Sequence, residues 1–204
     1  MQIEPMPNSE GEYRCWLSES EQSRLASYYA EDLQREVAVR LMLSGLRSDE
    51  VTRVAKQDVR KLDADDEAYK LRIWASKTGY RECPISERLK TLVYALSSAQ
   101  GTRGGRADKP VCDVTTKTLS RWVDEAVEAI ADETGNDDWR KVSCHDLRRS
   151  WATSTYYKLF ASPVALDLVR RWGGWSDAET FRANYLGREP DDLAARLMTD
   201  AGLA

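Results

Sequence analysis

Residues 116–133, TKTLSRWVDEAVEAIADE, set Leu119, Trp122, Val123, Ala126, Val127 and Ile130 three and four positions apart. In an α-helix those side chains share one face, and a face that broad has to be covered by other parts of the chain. The neighbouring segments offer cover in the same period. WLSESEQSRLASYY starts a helix with Ser18 as cap and Glu21 three residues on, a capping box. DLQREVAVRLMLSGL places Leu33, Val37 and Leu41 at helical spacing and stops at Gly45. Ser48 caps a shorter helix to about residue 55, Ser86 starts one to about residue 98, and GNDD ends the 116–133 helix. The final third predicts helices from Ser143, from Ser162–Pro163 to Gly173–Gly174, from Ser176 with Glu179 closing a capping box, and over EPDDLAARLMTDAGLA.

The middle of the chain changes period. DVRKLD, EAYKLRIWAS and YRECPI cluster β-formers, and SKTG between the last two is a turn signal. These segments predict three antiparallel strands over about residues 58–85, with Lys77 at a hairpin tip. AQGTRGGRADKP reads as a loop. Residues 1–15 lack periodicity and read as a flexible leader, leaving 16–204 as one domain. The expected class is mostly α (α+β), a helical bundle with a small three-stranded antiparallel sheet.

No apolar run approaches the roughly 20 residues that cross a bilayer. Four scattered cysteines form no CxxC pair, which argues against a disulfide framework or a zinc site and favours a reducing, cytoplasmic setting. A net charge of -4 gives no overall cationic attraction to nucleic acid, so any such role depends on where the cations sit.

The chain holds one histidine, His145, in SCHDLRRSWAT. His145 and Arg148 stand at i and i+3, on one face of a helix's first turn, where unpaired N–H groups favour an anion. On these two residues alone, a packing histidine beside a surface arginine is the plainer reading. In SGLRSDEV, Arg47 projects from a corner between helices with Glu50 in reach; a solvated ion pair is the plain alternative. Lys77 is either solvated or a mobile proton donor. RRWGGWSDAETFRANYLG sets Trp175 after a double glycine and Tyr185 ten residues later, with Arg182 and Arg188 beside it.

Taken in order, these segments resemble the tyrosine recombinase (phage integrase, Xer-like) family over roughly residues 17–187. SGLRSDEVTRVAKQDV resembles the box of the first catalytic arginine, KTGYRECPI the hairpin lysine motif, HDLRRSWAT the H-x-x-R box, and GGWSDAETFRANYLG the ending that carries the nucleophile. Trp175 stands where most of the family has a second histidine; the phage Cre recombinase has tryptophan there too. The family usually carries a separate helical DNA-clamping domain ahead of the catalytic one. Here the first catalytic helix is already matched near residue 17, so no such domain is expected in this sequence.

The resemblance implies a site-specific DNA recombinase or integrase, of a prokaryotic cell, virus or mobile element, that works without metal or other cofactor. Tyr185 would attack the scissile phosphate to give a 3′-phosphotyrosyl link. Arg47 and Arg148 would hold the phosphate oxygens, His145 would take the tyrosine proton, Trp175 would donate a hydrogen bond, Lys77 would protonate the leaving 5′-oxygen, and Glu50 would orient the arginines. Arg81, Arg149, Arg182 and Arg188 are expected to contact double-stranded DNA, on which the protein would assemble as a tetramer. The terminal helix would dock on a neighbouring subunit or close its own core. Relaxation of DNA as by a type IB topoisomerase, or DNA binding without catalysis, are the alternatives. With the cations gathered in one cleft, affinity for duplex DNA should fall steeply as salt rises, for a protein of a low-salt organism. Anisotropy titrations between about 50 and 200 mM salt check this, and a nearly salt-independent affinity would contradict it.

Overall fold

The computed structural model describes residues 1–7, 9–74, 79–101 and 108–203. The predicted helical period becomes a bundle around α5 (Thr116–Thr134), whose buried face is Leu119, Trp122, Val123, Ala126, Val127, Ile130 and Ala131. Gly135, at a φ of 65°, ends it. α1 (Glu19–Tyr28) starts on the expected capping box of Ser18 and Glu21. Together with α2 (Leu33–Met42) it packs on α5, and the Tyr29 hydroxyl donates to the Trp122 carbonyl at 2.7 Å. α3 (Ser48–Val51) is a single turn, shorter than expected: Val54 and Ala55 instead pair with Val111 and Pro110, and a 3-10 turn follows at Lys56–Asp58, with the Asp58 carboxylate accepting from the Ala55 N–H.

β3 (Val59–Lys61), β4 (Tyr69–Ile73) and β5 (Arg81–Ile85) form the expected antiparallel sheet in that order, with Val59 opposite Leu71 and Leu71 opposite Cys83. Tyr69, Leu71, Ile73, Cys83 and Ile85 alternate inward, which a one-sided sheet demands. The hairpin tip expected to carry Lys77 lies outside the described residues. α4 (Glu87–Gly101) covers α2, with the Ser86 hydroxyl accepting from the Leu89 N–H.

α6 (Cys144–Lys158), α7 (Ala165–Gly173), α8 (Ala178–Asn184) and α9 (Asp191–Asp200) complete the fold. Two starts differ from expectation. α7 begins two residues after Pro163, with Val164 as its cap. Asp177, not Ser176, caps α8, its carboxylate accepting from the Glu179 and Thr180 N–H groups; a negative side chain there also meets the positive helix end. Among the described residues, no helix is long and apolar enough to cross a membrane.

The flexible leader is corrected by the structure. β1 (Gln2–Pro5) and β2 (Tyr13–Trp16) pair antiparallel, with Gln2 opposite Trp16. Their strands are only four residues long, and their side-chain partners lie far along the sequence, so no local pattern announces them. β2 is tied to α6, where Asp146 accepts from the Cys15 N–H and Ser150 from the Leu17 N–H.

Gly45, which ends α2, has a φ of 89°, and a Cβ there would lie 2.4 Å from the Trp151 ring. Gly45→Ala should therefore lower unfolding stability by about 2 kcal/mol or more. A denaturant midpoint equal to wild type would show that the α2–α6 approach is looser than described.

Candidate active site

Arg47 is the residue before the first turn of α3, and its own N–H donates to the Glu50 carboxylate at 2.7 Å. That bond fixes the corner between α2 and α3 and turns Glu50 inward, where it is 2% exposed. A buried carboxylate needs cations. Arg47 supplies one at 3.1 Å, Arg81 of β5 a second at 2.6 Å, and Arg148 of α6 a third at 3.8 Å.

Arg148 is 1% exposed. Its two terminal nitrogens donate to the carbonyls of Gly45 and Gly173, which lie at the ends of α2 and α7. Burial, then the positive charges of Arg47 and Arg81, pull its guanidinium below the usual value, while Glu50 opposes them. It remains a cation at neutral pH.

Beyond Gly174, in the left-handed region at a φ of 72°, the chain turns back and Trp175 folds over α7's last turn. A Cβ on Gly173 would meet the Trp175 ring at 1.8 Å, so the indole needs glycine beneath it. The Trp175 ring centroid is 4.3 Å from the Arg148 guanidinium, 4.5 Å from the Tyr185 ring, 5.0 Å from Phe181 and 6.1 Å from Trp151. Tyr185, half-buried, caps the C-terminus of α8. Its ring lies 5.3 Å from His145 and 5.9 Å from the Arg148 guanidinium. Three buried donors of this cluster, Arg81 Nε, Arg148 Nε and Trp175 Nε1, have no hydrogen-bond partner among the described residues.

The fold thus gathers Arg47, Glu50, His145, Arg148, Trp175 and Tyr185 in one place. Arg81 and Arg149, expected on the DNA-facing surface, are buried instead. Arg81, 5% exposed, holds Glu50 and donates to the carbonyl of Trp172. Arg149 pairs with Asp146 and donates to the Asn184 carbonyl at 3.0 Å. The terminal nitrogens of Arg81 and the Nε and one terminal nitrogen of Arg149 are thus turned to internal partners. Arg182 and Arg188 are exposed. Lys77 lies outside the described residues.

Asp146 is a residue the sequence reading passed over. Fully buried, it accepts from the N–H and hydroxyl of Ser143 at 2.8 and 2.6 Å, from Cys15 and from Arg149. The signal was present as Ser143 with an acid three residues on, a capping box one residue from the histidine.

His145 keeps an exposed edge. Partial desolvation, then the cations Arg149, Arg148 and Arg47, push its pKa down from 6.5 to about 4, against the pull of Asp146.

The fold is that of tyrosine-recombinase catalytic domains. The chain is similar to XerA recombinase with a TM-score of 0.64 and 19% identity, covering 92% of this chain and 65% of that one. It is similar to XerH site-specific recombinase, in a post-cleavage complex with a palindromic difH substrate, with a TM-score of 0.65 and 18% identity over 95% of this chain and 55% of that one. It is also similar to the Tn1549 transposon integrase in complex with transposon right end DNA, with a TM-score of 0.58 and 13% identity over 96% and 69%. The chain therefore spans less than two thirds of the XerA and XerH chains. No protein-family model matches it, and no curated protein matches it in sequence.

A lowered His145 pKa means that the unfolded chain takes up this proton before the folded one does. The stability held by the neutral imidazole is complete above about pH 6.5 and is lost as pH falls through about 4. As the only histidine, it gives a single imidazole signal in a carbon–proton NMR titration, with an expected midpoint near 4. A midpoint near 6.5 would overturn the cationic surroundings described.

Proposed function

We propose that this chain is the catalytic part of a site-specific DNA recombinase that cleaves and rejoins strands through a 3′-phosphotyrosyl intermediate. The observation that carries the reading is the pair of buried, unpartnered donors, Arg148 Nε and Trp175 Nε1, beside the Tyr185 ring in a cluster with more cations than anions. An oxyanion is the ligand that would satisfy both donors and the surplus charge.

In this reading the Tyr185 Oη attacks phosphorus, and the bond to the 5′-oxygen breaks. A phenol of pKa about 10 is a weak nucleophile at neutral pH. The neutral His145 imidazole accepts its proton, and a bound phosphate offsets the cations that hold that imidazole's pKa low. Arg148 and Arg47 stabilise charge on the non-bridging oxygens, and Trp175 adds one hydrogen bond. Glu50 orients the guanidiniums and Lys77 protonates the leaving 5′-oxygen. The phosphotyrosyl bond conserves the energy of the broken ester, so a 5′-hydroxyl from another strand reverses the step. Assembly as a tetramer on duplex DNA, contact of DNA by Arg182 and Arg188, and a cytoplasmic location belong to the same proposal.

The test is trapping. Nicked duplexes with randomised sequence around the nick should yield an SDS-resistant protein–DNA adduct with the wild type and none with Tyr185→Phe. An adduct that survives Tyr185→Phe removes that residue as nucleophile; no adduct with the wild type removes the function. Relaxation of any supercoiled plasmid, without joining of two selected sites, would mark a topoisomerase instead.

A further inference from the structure

The segment that carries Tyr185 has little apolar anchoring: around it, the fully buried Phe181 and the nearly buried Leu193 are the main side chains driven into the body. α8 ends at Asn184, so its last carbonyls need partners from elsewhere. Those partners come largely from the N-terminal hairpin. Arg14 of β2 donates to the Ala183 carbonyl at 2.7 Å and to Asn184 Oδ1 at 2.8 Å. Trp16 Nε1 donates to the Tyr185 carbonyl at 2.9 Å. The Gln2 side-chain amide of β1 donates to the Arg188 carbonyl at 3.0 Å and accepts from the Arg188 N–H at 2.9 Å, pairing with that backbone as another strand would.

The fit is close as well as bonded. A Cβ on Gly187 would stand 2.8 Å from Gln2 Oε1 and 2.9 Å from Trp16 Cγ. From the opposite side α6 completes the grip, with Arg149 on the Asn184 carbonyl, Thr153 on the Tyr185 carbonyl and Tyr157 on the Gly187 carbonyl. Arg14 and Arg149 also set cations against the negative end of α8.

We infer that the β1–β2 hairpin positions the nucleophile: Arg14, Trp16 and Gln2 act through the backbone of residues 183–188 to fix where the Tyr185 hydroxyl stands. The inference rests on the reading of Tyr185 as the attacking group. In-line displacement requires the attacking oxygen about 3–3.5 Å from phosphorus, and a misplacement near 1 Å lowers the rate about a hundredfold. The three side chains stand behind the tyrosine backbone and touch no reacting atom.

The experiment uses the duplex that the wild type traps best, the full chain, and the variants Arg14→Ala, Arg14→Lys, Trp16→Phe and Gln2→Ala. Three quantities are measured: the first-order rate of adduct formation at saturating DNA, the DNA dissociation constant, and hydrogen exchange of amides 184–188. The expected result is a roughly ten- to hundredfold slower adduct for Arg14→Ala and Trp16→Phe. DNA affinity should stay within about twofold, and those amides should exchange faster. Arg14→Lys should recover part of the rate, since one ammonium reaches the Ala183 carbonyl without also reaching Asn184 Oδ1. Rates equal to wild type, or losses that follow DNA affinity, overturn the inference. If the wild type forms no adduct, the function proposed above fails, and exchange decides this inference by itself: unchanged protection of 184–188 in Arg14→Ala and Gln2→Ala overturns the clamp. Gln2→Ala removes a half-buried surface amide and keeps the core intact should Trp16→Phe unfold the hairpin.

Discussion

One buried carboxylate organises this molecule. Glu50 faces the guanidiniums of Arg47, Arg81 and Arg148, which arrive from a helix corner, a sheet strand and the bundle. Removing one partner from a buried ionic group typically costs about 3–5 kcal/mol, so those three elements are held in mutual register by charge as well as by packing. The cluster is also unbalanced by design of its composition: one anion serves several cations. The surplus lies beside the donors of Arg148 and Trp175 that lack a hydrogen-bond partner among the described residues.

The aromatic side of the site depends on two missing side chains. Trp151 packs over Gly45 and Trp175 over Gly173, each closer than a Cβ would permit. The carbonyls of those same glycines receive the two ends of the Arg148 guanidinium. Each glycine thus seats an indole and aims a carbonyl, and the two indoles stack on one another. The tyrosine leans on the second of them, so ring position and cation position are set by the same backbone.

How much of this was legible depends on the range of the interactions. Helices α1, α2 and α5 and the three-stranded sheet show in the sequence because their periods and caps are local: Ser18 with Glu21, Gly45, Gly135 and the alternation of β4 and β5. Arg47, Glu50, His145, Arg148, Trp175 and Tyr185 were each named from short boxes, and the fold brings them together. What the sequence did not disclose is direction. Arg81 and Arg149 read as DNA-contacting cations on the resemblance, and only the tertiary arrangement shows that Glu50, Asp146 and the carbonyls of Gly45, Trp172 and Asn184 turn them inward. The hairpin escaped for the same reason, since Arg14, Trp16 and Gln2 find their partners at the other end of the chain.

That last feature bears on the order in which the protein becomes itself. The bonds from the hairpin to the tyrosine segment join residues 169 to 186 positions apart, among the longest loop closures the chain makes. Contacts of high sequence separation form late, because the entropy of closing the loop must be met before they contribute. Glu50 and Arg81, 31 residues apart, can meet much earlier. Helix α6 likewise meets residues 184–187 across only 30 to 35 positions, so the hairpin is the last part to close over Tyr185, and a chain caught midway through folding holds that segment from one side only.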